Sequence, residues 1–127
     1  INGKNKLDEE MLSFFINVLK NIKSNAIALF NQDSLISQSG GQTSRVDAIQ
    51  ICLNKLKYQN QTKKNKSLFL FSDAFFPFTD SLSIIRKQKF KIDIYAPMGS
   101  KSDSKIYNYV KKNKLKFFKL SERHFKH

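Results

Sequence analysis

Residues 40–45 (GGQTSR) contain a glycine pair, two hydroxyl side chains and an arginine, directly before a stretch that predicts a helix. Free backbone N–H groups and the helix dipole favour an anion or a carbonyl oxygen at such a position. The spacing excludes a Walker A loop and a GxGxxG dinucleotide loop. Arg45 is one of three arginines beside 20 lysines, which favours a role that needs a planar, bidentate guanidinium. Arg45 is therefore a candidate ligand-binding residue, and an ordinary surface arginine is the alternative.

Residues 72–80 (SDAFFPFTD) place three phenylalanines around a proline, between Asp73 and Asp80. Phenylalanines are costly in a solvent-exposed loop, so they either plug the core or line a pocket for a flat ligand. The two carboxylates favour the pocket, although Asp80 also suits a helix N-cap. Both interpretations stay open from the residues alone.

Residues 121–127 (SERHFKH) contain both histidines and an arginine. A basic tail is ordinarily solvated, and a metal site is disfavoured because no carboxylate or cysteine stands at ligand spacing. The sequence contains no catalytic triad, nucleophile elbow or zinc-deaminase signature. The residues thus predict ligand-facing loops without self-sufficient catalytic machinery.

Hydrophobic periodicity predicts the elements that position these segments. Apolar residues recur at helical spacing over residues 7–23 and in three later stretches that begin near a serine or aspartate. Short apolar runs predict strands at residues 26–30, 35–39, 68–71, 92–96 and 115–120, the first two joined as a hairpin. The predicted order is α-β-β-α-β-α-β-α-β.

This order predicts a three-layer α/β/α sandwich with a mixed sheet, largely parallel with one antiparallel hairpin at an edge. In such sheets, ligands bind beyond the carboxyl ends of the strands. Three loops qualify, at residues 40–44, 72–80 and 97–103.

The 127 residues, 14.8 kDa in mass, suit a single domain. Mean hydropathy is −0.46, and no apolar run approaches the ~20 residues of a membrane span. We therefore expect a soluble protein without a signal peptide. Cys52 is the only cysteine, which excludes an internal disulfide and fits a reducing cytoplasm.

The net charge of +13, from 23 basic and 10 acidic residues, predicts a nucleic-acid-binding module when taken alone. Abundant Lys, Asn, Ile and Phe are equally typical of codons that have drifted towards A and T. Nucleic-acid binders interleave aromatic and basic side chains on one surface, whereas here the phenylalanines cluster and the lysines are spread throughout. The scarce arginines, Arg45, Arg86 and Arg123, are then the basic positions of most interest.

Five segments resemble, in order and spacing, the C-terminal part of the bifunctional purine biosynthesis enzymes that combine AICAR transformylase with IMP cyclohydrolase. They are KSNAIAL (23–29), SQSGGQTSRVDAI (37–49), SDAFFPFTD (72–80), YAPMGSKSD (95–103) and RHFKH (123–127). The resemblance implies that residues 1–127 form a C-terminal transformylase subdomain with a zinc-free, cytidine-deaminase-like fold. It also implies a cytoplasmic enzyme, homodimeric when intact, that binds neither nucleic acid nor membrane.

The resemblance further implies roles for individual residues. Binding of the AICAR nucleotide would involve Asn25, Arg45, Phe75 and Arg123. Binding of the cosubstrate, 10-formyltetrahydrofolate, would involve Pro77, Asp80 and Ser81. A structural potassium ion would lie near Ser24, Asp73 and His124.

The family's catalytic Lys-His pair belongs to the preceding subdomain, which we expect to be absent here together with the IMP cyclohydrolase domain. Lys126 and His127 form the only Lys-His dipeptide in the sequence, and they belong to the terminal motif instead. We therefore expect no catalytic residue in this chain and no activity from the chain alone. The alternatives are a basic nucleic-acid-binding module and a folded enzyme remnant without function.

Overall fold

The computed structural model describes residues 5–32, 34–41, 44–58, 67–76, 79–88, 90–99, 101 and 103–121. These residues form four helices and five strands in the predicted order. The helices are α1 (Glu9–Lys20), α2 (Arg45–Tyr58), α3 (Asp80–Arg86) and α4 (Asp103–Lys112). The strands are β1 (Ile27–Phe30), β2 (Leu35–Ser39), β3 (Leu68–Ser72), β4 (Ile92–Ala96) and β5 (Phe117–Lys119). Strands β2 and β4 have the predicted bounds, whereas α1 and β5 are shorter than predicted.

Side-chain caps begin the first two helices. Asp8 Oδ1 accepts a hydrogen bond from Met11 N at 2.8 Å, and two glutamates in the first turn of α1 complement the helix dipole. Ser44 Oγ likewise accepts a hydrogen bond from Asp47 N at 3.1 Å. The cap predicted at Ser44 is confirmed, and it places Arg45 in the first turn of α2.

The five strands form one mixed sheet in the order β2-β1-β3-β4-β5. Strand β1 is antiparallel to both β2 and β3, whereas β3, β4 and β5 are mutually parallel. The predicted mixed sheet with an antiparallel hairpin at its edge is therefore confirmed. Ile27, the first residue of β1, pairs with Ser39 and with Ser72, the last residues of β2 and β3. The chain before β1 therefore lies at the same edge of the sheet as the chain that follows β2 and β3.

Apolar side chains cover both faces of this sheet. Ile27 and Leu29 belong to a core cluster that also contains residues of α2, α3 and α4. Ala28 and Phe30 belong to a second cluster, which contains residues of α1. Helices therefore lie on both faces of the sheet, as the order of elements predicts. Within the described residues, no helix is both long and apolar enough to cross a bilayer.

Candidate functional site

A buried ion pair joins two of the predicted ligand-facing loops. Arg45, at the start of α2, approaches Asp73, directly after β3, with 2.8 Å between Nη1 and Oδ1. The two side chains are only 8% and 11% exposed, so water screens their charges little. Arg45 is therefore not the surface arginine of the alternative interpretation, and its guanidinium is fixed at the carboxyl edge of the sheet.

The same guanidinium binds the chain before β1. Arg45 Nη2 donates a hydrogen bond to Asn25 Oδ1 at 2.9 Å, and Nη1 donates to the carbonyl oxygen of Ala26 at 3.3 Å. Asn25 and Arg45, which the family resemblance assigns to one nucleotide, are thus brought into direct contact. The contact fixes the side-chain amide of Asn25 in a single orientation.

Asp73 binds the other side of this segment. Its Oδ1 also accepts a hydrogen bond from Ala26 N at 3.1 Å, and its Oδ2 accepts one from Ser24 Oγ. The backbone N–H of Asp73 donates to the carbonyl oxygen of Ala26 at 3.2 Å. Residues 24–26, Arg45 and Asp73 therefore form one hydrogen-bonded unit, which we call the edge cluster.

The glycine pair packs closely against residues 22 and 23. A Cβ atom on Gly40 would lie 2.5 Å from Ile22 Cγ2 and 2.8 Å from the carbonyl oxygen of Lys23. Gly41 has a φ of +73°, which glycine adopts readily, and its N–H donates to the same Lys23 carbonyl at 2.7 Å. The glycines thus hold the loop before α2 against the chain that leads to Ser24.

The phenylalanine-rich loop had two possible roles, filling the core or lining a pocket, and its phenylalanines differ in this respect. Phe76 is 2% exposed and meets the ring of Phe117 edge to face, with 6.1 Å between the centroids. Phe75 is 41% exposed. One phenylalanine therefore plugs the core, and its neighbour is accessible to solvent.

Asp80 and Ser81 begin α3, but the predicted N-cap role of Asp80 is wrong. Thr79 is the N-cap residue and forms no side-chain capping bond, while Asp80 occupies the first turn. Asp80 is exposed and its Oδ1 accepts a hydrogen bond from Ser81 N at 3.1 Å; Ser81 is buried. The helix begins one residue earlier than the cap assignment requires, and it leaves the Asp80 carboxylate accessible.

The remaining predicted site residues lie outside the described residues. They are Pro77, Arg123 and His124. Ser24 and Asp73, two of the three residues expected near potassium, are in direct contact. Among the described residues, no group of three or more His, Cys, Asp or Glu side chains is arranged to hold a metal ion.

Reasoning from residue patterns alone missed the segment before β1. The patterns identified only loops that follow β2, β3 and β4, and the resemblance alone supplied Ser24 and Asn25. The predicted hairpin could have identified this segment. Because β1 is antiparallel to β2, the start of β1 must lie beside the end of β2, at the ligand-facing edge of the sheet.

Residues 3–55 match the family model of the AICARFT/IMPCHase bienzyme. The chain is 38% identical over 114 residues to the bifunctional purine biosynthesis protein PurH of Buchnera aphidicola subsp. Baizongia pistaciae, covering 90% of this chain and 21% of that protein. For PurH of Rhodopirellula baltica the identity is 34% over 116 residues, covering 91% and 21%. For PurH of Leptospira biflexa it is 37% over 120 residues, covering 94% and 23%.

The chain spans about a fifth of the length of these curated relatives. The similarity nevertheless extends over at least nine-tenths of the chain itself. By sequence, the chain belongs to the AICARFT/IMPCHase bienzyme family.

Proposed function

We propose that this chain is the C-terminal subdomain of an AICAR transformylase in purine (IMP) biosynthesis, with a zinc-free, cytidine-deaminase-like fold. In this role it supplies nucleotide- and folate-binding residues to a site completed by other domains. The observation that carries the proposal is the edge cluster, in which the buried Arg45–Asp73 pair holds a guanidinium against Asn25. Ligands of α/β sheets bind at this edge.

The reaction is formyl transfer. The 5-amino group of AICAR attacks the formyl carbon of 10-formyltetrahydrofolate and forms a new C–N bond. The bond between the formyl carbon and N10 then breaks, and a proton passes from the attacking amine to N10. The products are the formylated nucleotide and tetrahydrofolate, and the cyclohydrolase domain of the intact enzyme closes the nucleotide to IMP.

In this proposal, Asn25 and Arg45 bind the carboxamide region of AICAR. Asn25 Oδ1 accepts a hydrogen bond from Arg45, which holds the side-chain amide in a defined orientation at this edge of the sheet. The backbone at Phe75 binds beside them, and Arg123 anchors the nucleotide phosphate as a bidentate donor.

The folate binds at the start of α3. The exposed carboxylate of Asp80 accepts hydrogen bonds from the amino-pyrimidinone edge of the pterin, with Pro77 and Ser81 beside it. A carboxylate suits this edge because the pterin offers two adjacent N–H donors. A structural potassium ion near Ser24, Asp73 and His124, cytoplasmic location and a homodimeric intact enzyme complete the proposal.

AICAR binding to this chain tests the nucleotide site. Isothermal titration calorimetry with AICAR should show affinity that falls by about tenfold in Asn25→Ala, because one half-buried hydrogen-bonding group is lost. Asn17→Ala is the matched control, since Asn17 is exposed on α1. Equal affinity of the two variants for AICAR would contradict the proposed role of Asn25 in binding AICAR.

The chain alone should not catalyse formyl transfer. General acid–base assistance contributes roughly 10²–10⁴-fold, and the Lys-His pair that would supply it belongs to the preceding subdomain. A steady-state assay of tetrahydrofolate release, run beside an intact PurH, measures this. Release at a comparable rate would refute the proposal that other domains complete the site.

A further inference from the structure

A cavity of about 350 Å³ lies at the edge of the sheet opposite to the edge cluster. It is formed where β4 and β5 begin and where α3 and α4 end. Five cationic side chains of the described residues line it: Lys6, Arg86, Lys91, Lys114 and Lys116. We call this space the basal cavity, and nothing in the proposed transformylase role uses it.

Helix dipoles explain only part of this charge. Arg86 and Lys114 lie at or just after the carboxyl ends of α3 and α4, where cations are ordinarily favourable. The other three lysines come from the chain before α1 and from the entries to β4 and β5. Arg86 is also one of the three arginines that stand out against the lysine background, and the edge cluster does not involve it.

The basal cavity also contains a buried carboxylate. Asp93 lines it, is 4% exposed, and has an Oδ2 atom without a hydrogen-bond partner among the described residues. Burial raises the pKa of Asp93, although the charges of Lys6 and Lys116 act to lower it. A buried polar atom without a partner is unfavourable, so a ligand that donates a hydrogen bond to it would gain affinity.

Apolar side chains form the rest of the cavity wall. Ile85, Phe90, Ile92 and Leu115 line it beside the charged groups. Small-molecule sites combine such an apolar wall with a few placed polar groups, and they have volumes of about 300–1,000 Å³. The basal cavity has this composition and size.

One lining residue has an unfavourable backbone conformation. Lys114, the second residue after α4, has a φ of +55°, and Leu115 N donates to the carbonyl oxygen of Val110 at 3.0 Å. Glycine is the usual residue at such a left-handed helix end. A lysine there adds a cation to the cavity at some expense of stability.

We propose that the basal cavity binds a nucleoside monophosphate. The base lies against the apolar wall and donates an N–H hydrogen bond to Asp93 Oδ2. The phosphate is bound by Arg86, Lys114 and Lys116. This inference does not depend on the proposed transformylase function, because it uses none of the residues of the edge cluster.

Four probes separate the parts of this ligand: AMP, adenosine, ribose 5-phosphate and orthophosphate. Each is titrated into the ¹⁵N-labelled chain at physiological salt and followed by amide chemical shifts. We expect AMP to perturb residues 91–94 and 114–116. We expect each of the other probes to bind at least about tenfold more weakly, because each lacks the base or the phosphate.

Variants then locate the site. Asp93→Leu and Lys116→Met should each weaken AMP binding by about tenfold, because the first removes the acceptor for the base and the second removes a cation for the phosphate. Lys105→Met is the matched control, since it removes the same charge from an exposed position of α4 outside the cavity. Lys114→Gly provides a variant that relieves the left-handed backbone, so its fold is retained while AMP affinity falls.

Three results would overturn the proposal. Equal affinity for AMP and ribose 5-phosphate would show that the base is not bound. An equal loss of affinity in Lys105→Met and Lys116→Met would show that AMP responds only to net charge. Perturbations confined to residues 24–26, 45 and 73 would place AMP at the edge cluster, and that outcome leaves the transformylase proposal standing while removing this one.

Discussion

Asp73 holds the edge cluster together through its two carboxylate oxygens. They accept hydrogen bonds from Ser24 and Ala26 before β1 and from Arg45 at the start of α2. Three points of the chain that are distant in sequence therefore share one side chain. Because the pair with Arg45 is buried, the loss of either charge leaves the other without compensation.

Asp73→Asn should lower the free energy of unfolding by about 3–5 kcal/mol, because the buried guanidinium of Arg45 loses its counter-charge. Urea denaturation of both proteins measures the change. Asp47→Asn is the control: Asp47 is exposed in the first turn of α2, so its loss should cost less than about 1 kcal/mol. Similar costs for the two variants would contradict a stabilising role for the pair.

Asp93 should make stability depend on pH. Burial raises its pKa in the folded state, so the folded chain holds this proton more tightly than the unfolded chain does. The resulting stability is fully present below the ordinary aspartate pKa of about 3.9 and is lost as pH rises through the raised value.

Asp93→Asn removes this titration. The stability of the variant relative to the parent should therefore rise as pH increases from about 4 through the raised pKa of Asp93. Urea denaturation at several pH values measures the difference. A difference that is constant across the range would contradict the raised pKa.

The helices and strands follow their sequence patterns closely where an apolar run or a single capping residue determines the bounds. Strands β2 and β4 have the bounds that their apolar runs predict, and Ser44 caps α2. Asp80 shows where the pattern is insufficient, because Thr79, directly before it, is also an acceptable N-cap. Which of two adjacent residues begins a helix depends on how the preceding loop packs. That packing cannot be predicted from the residue pattern alone.

The two caps differ in a way that mutation can measure. Asp8→Ala should destabilise the chain by about 0.5–2 kcal/mol, since Asp8 accepts a hydrogen bond from Met11 N. Thr79→Ala should change stability by less than about 0.5 kcal/mol, because Thr79 forms no side-chain capping bond. Thermal or urea denaturation gives both values, and a larger loss for Thr79→Ala would contradict these assignments.

At the scale of the whole molecule, the described part of the chain does not match the charge of +13 with an aromatic surface. The exposed aromatic side chains of the described residues are Phe14, Phe75 and Tyr107. They lie on α1, on the loop after β3 and on α4, and therefore on separate elements. A single-stranded nucleic acid needs a continuous row of stacking side chains along a basic groove, and these positions do not provide one.

The edge cluster was only partly predictable from the sequence. Arg45 was a candidate site residue because arginine is rare in this chain, and Asp73 was one because it flanks the phenylalanine-rich loop. Asn25 was identified only through the family resemblance. Asp93 gave no sequence signal, because one aspartate within an apolar strand does not reveal which partners it lacks.

The exposed aromatic side chains of the described residues form no continuous row, so the chain should bind single-stranded DNA weakly. Filter binding should give a dissociation constant above the micromolar range at about 0.15 M salt. Lys105→Met should reduce that retention as much as any lining lysine of the basal cavity does, because only diffuse charge is involved. Micromolar or tighter retention would favour a nucleic-acid-binding module over the enzyme subdomain.

The pairing of β1 with β2 contains an irregularity between Leu29 and Phe30. It lies between the connection at residues 31–34 and the paired residues Ile27 and Ser39, which lead to the edge cluster. A change in the length of that connection would be absorbed at the irregularity before it reached Asn25. The hairpin tip is thus the position where a peptide tag or a fluorescent reporter can be inserted while the spacing between Asn25 and Arg45 is kept.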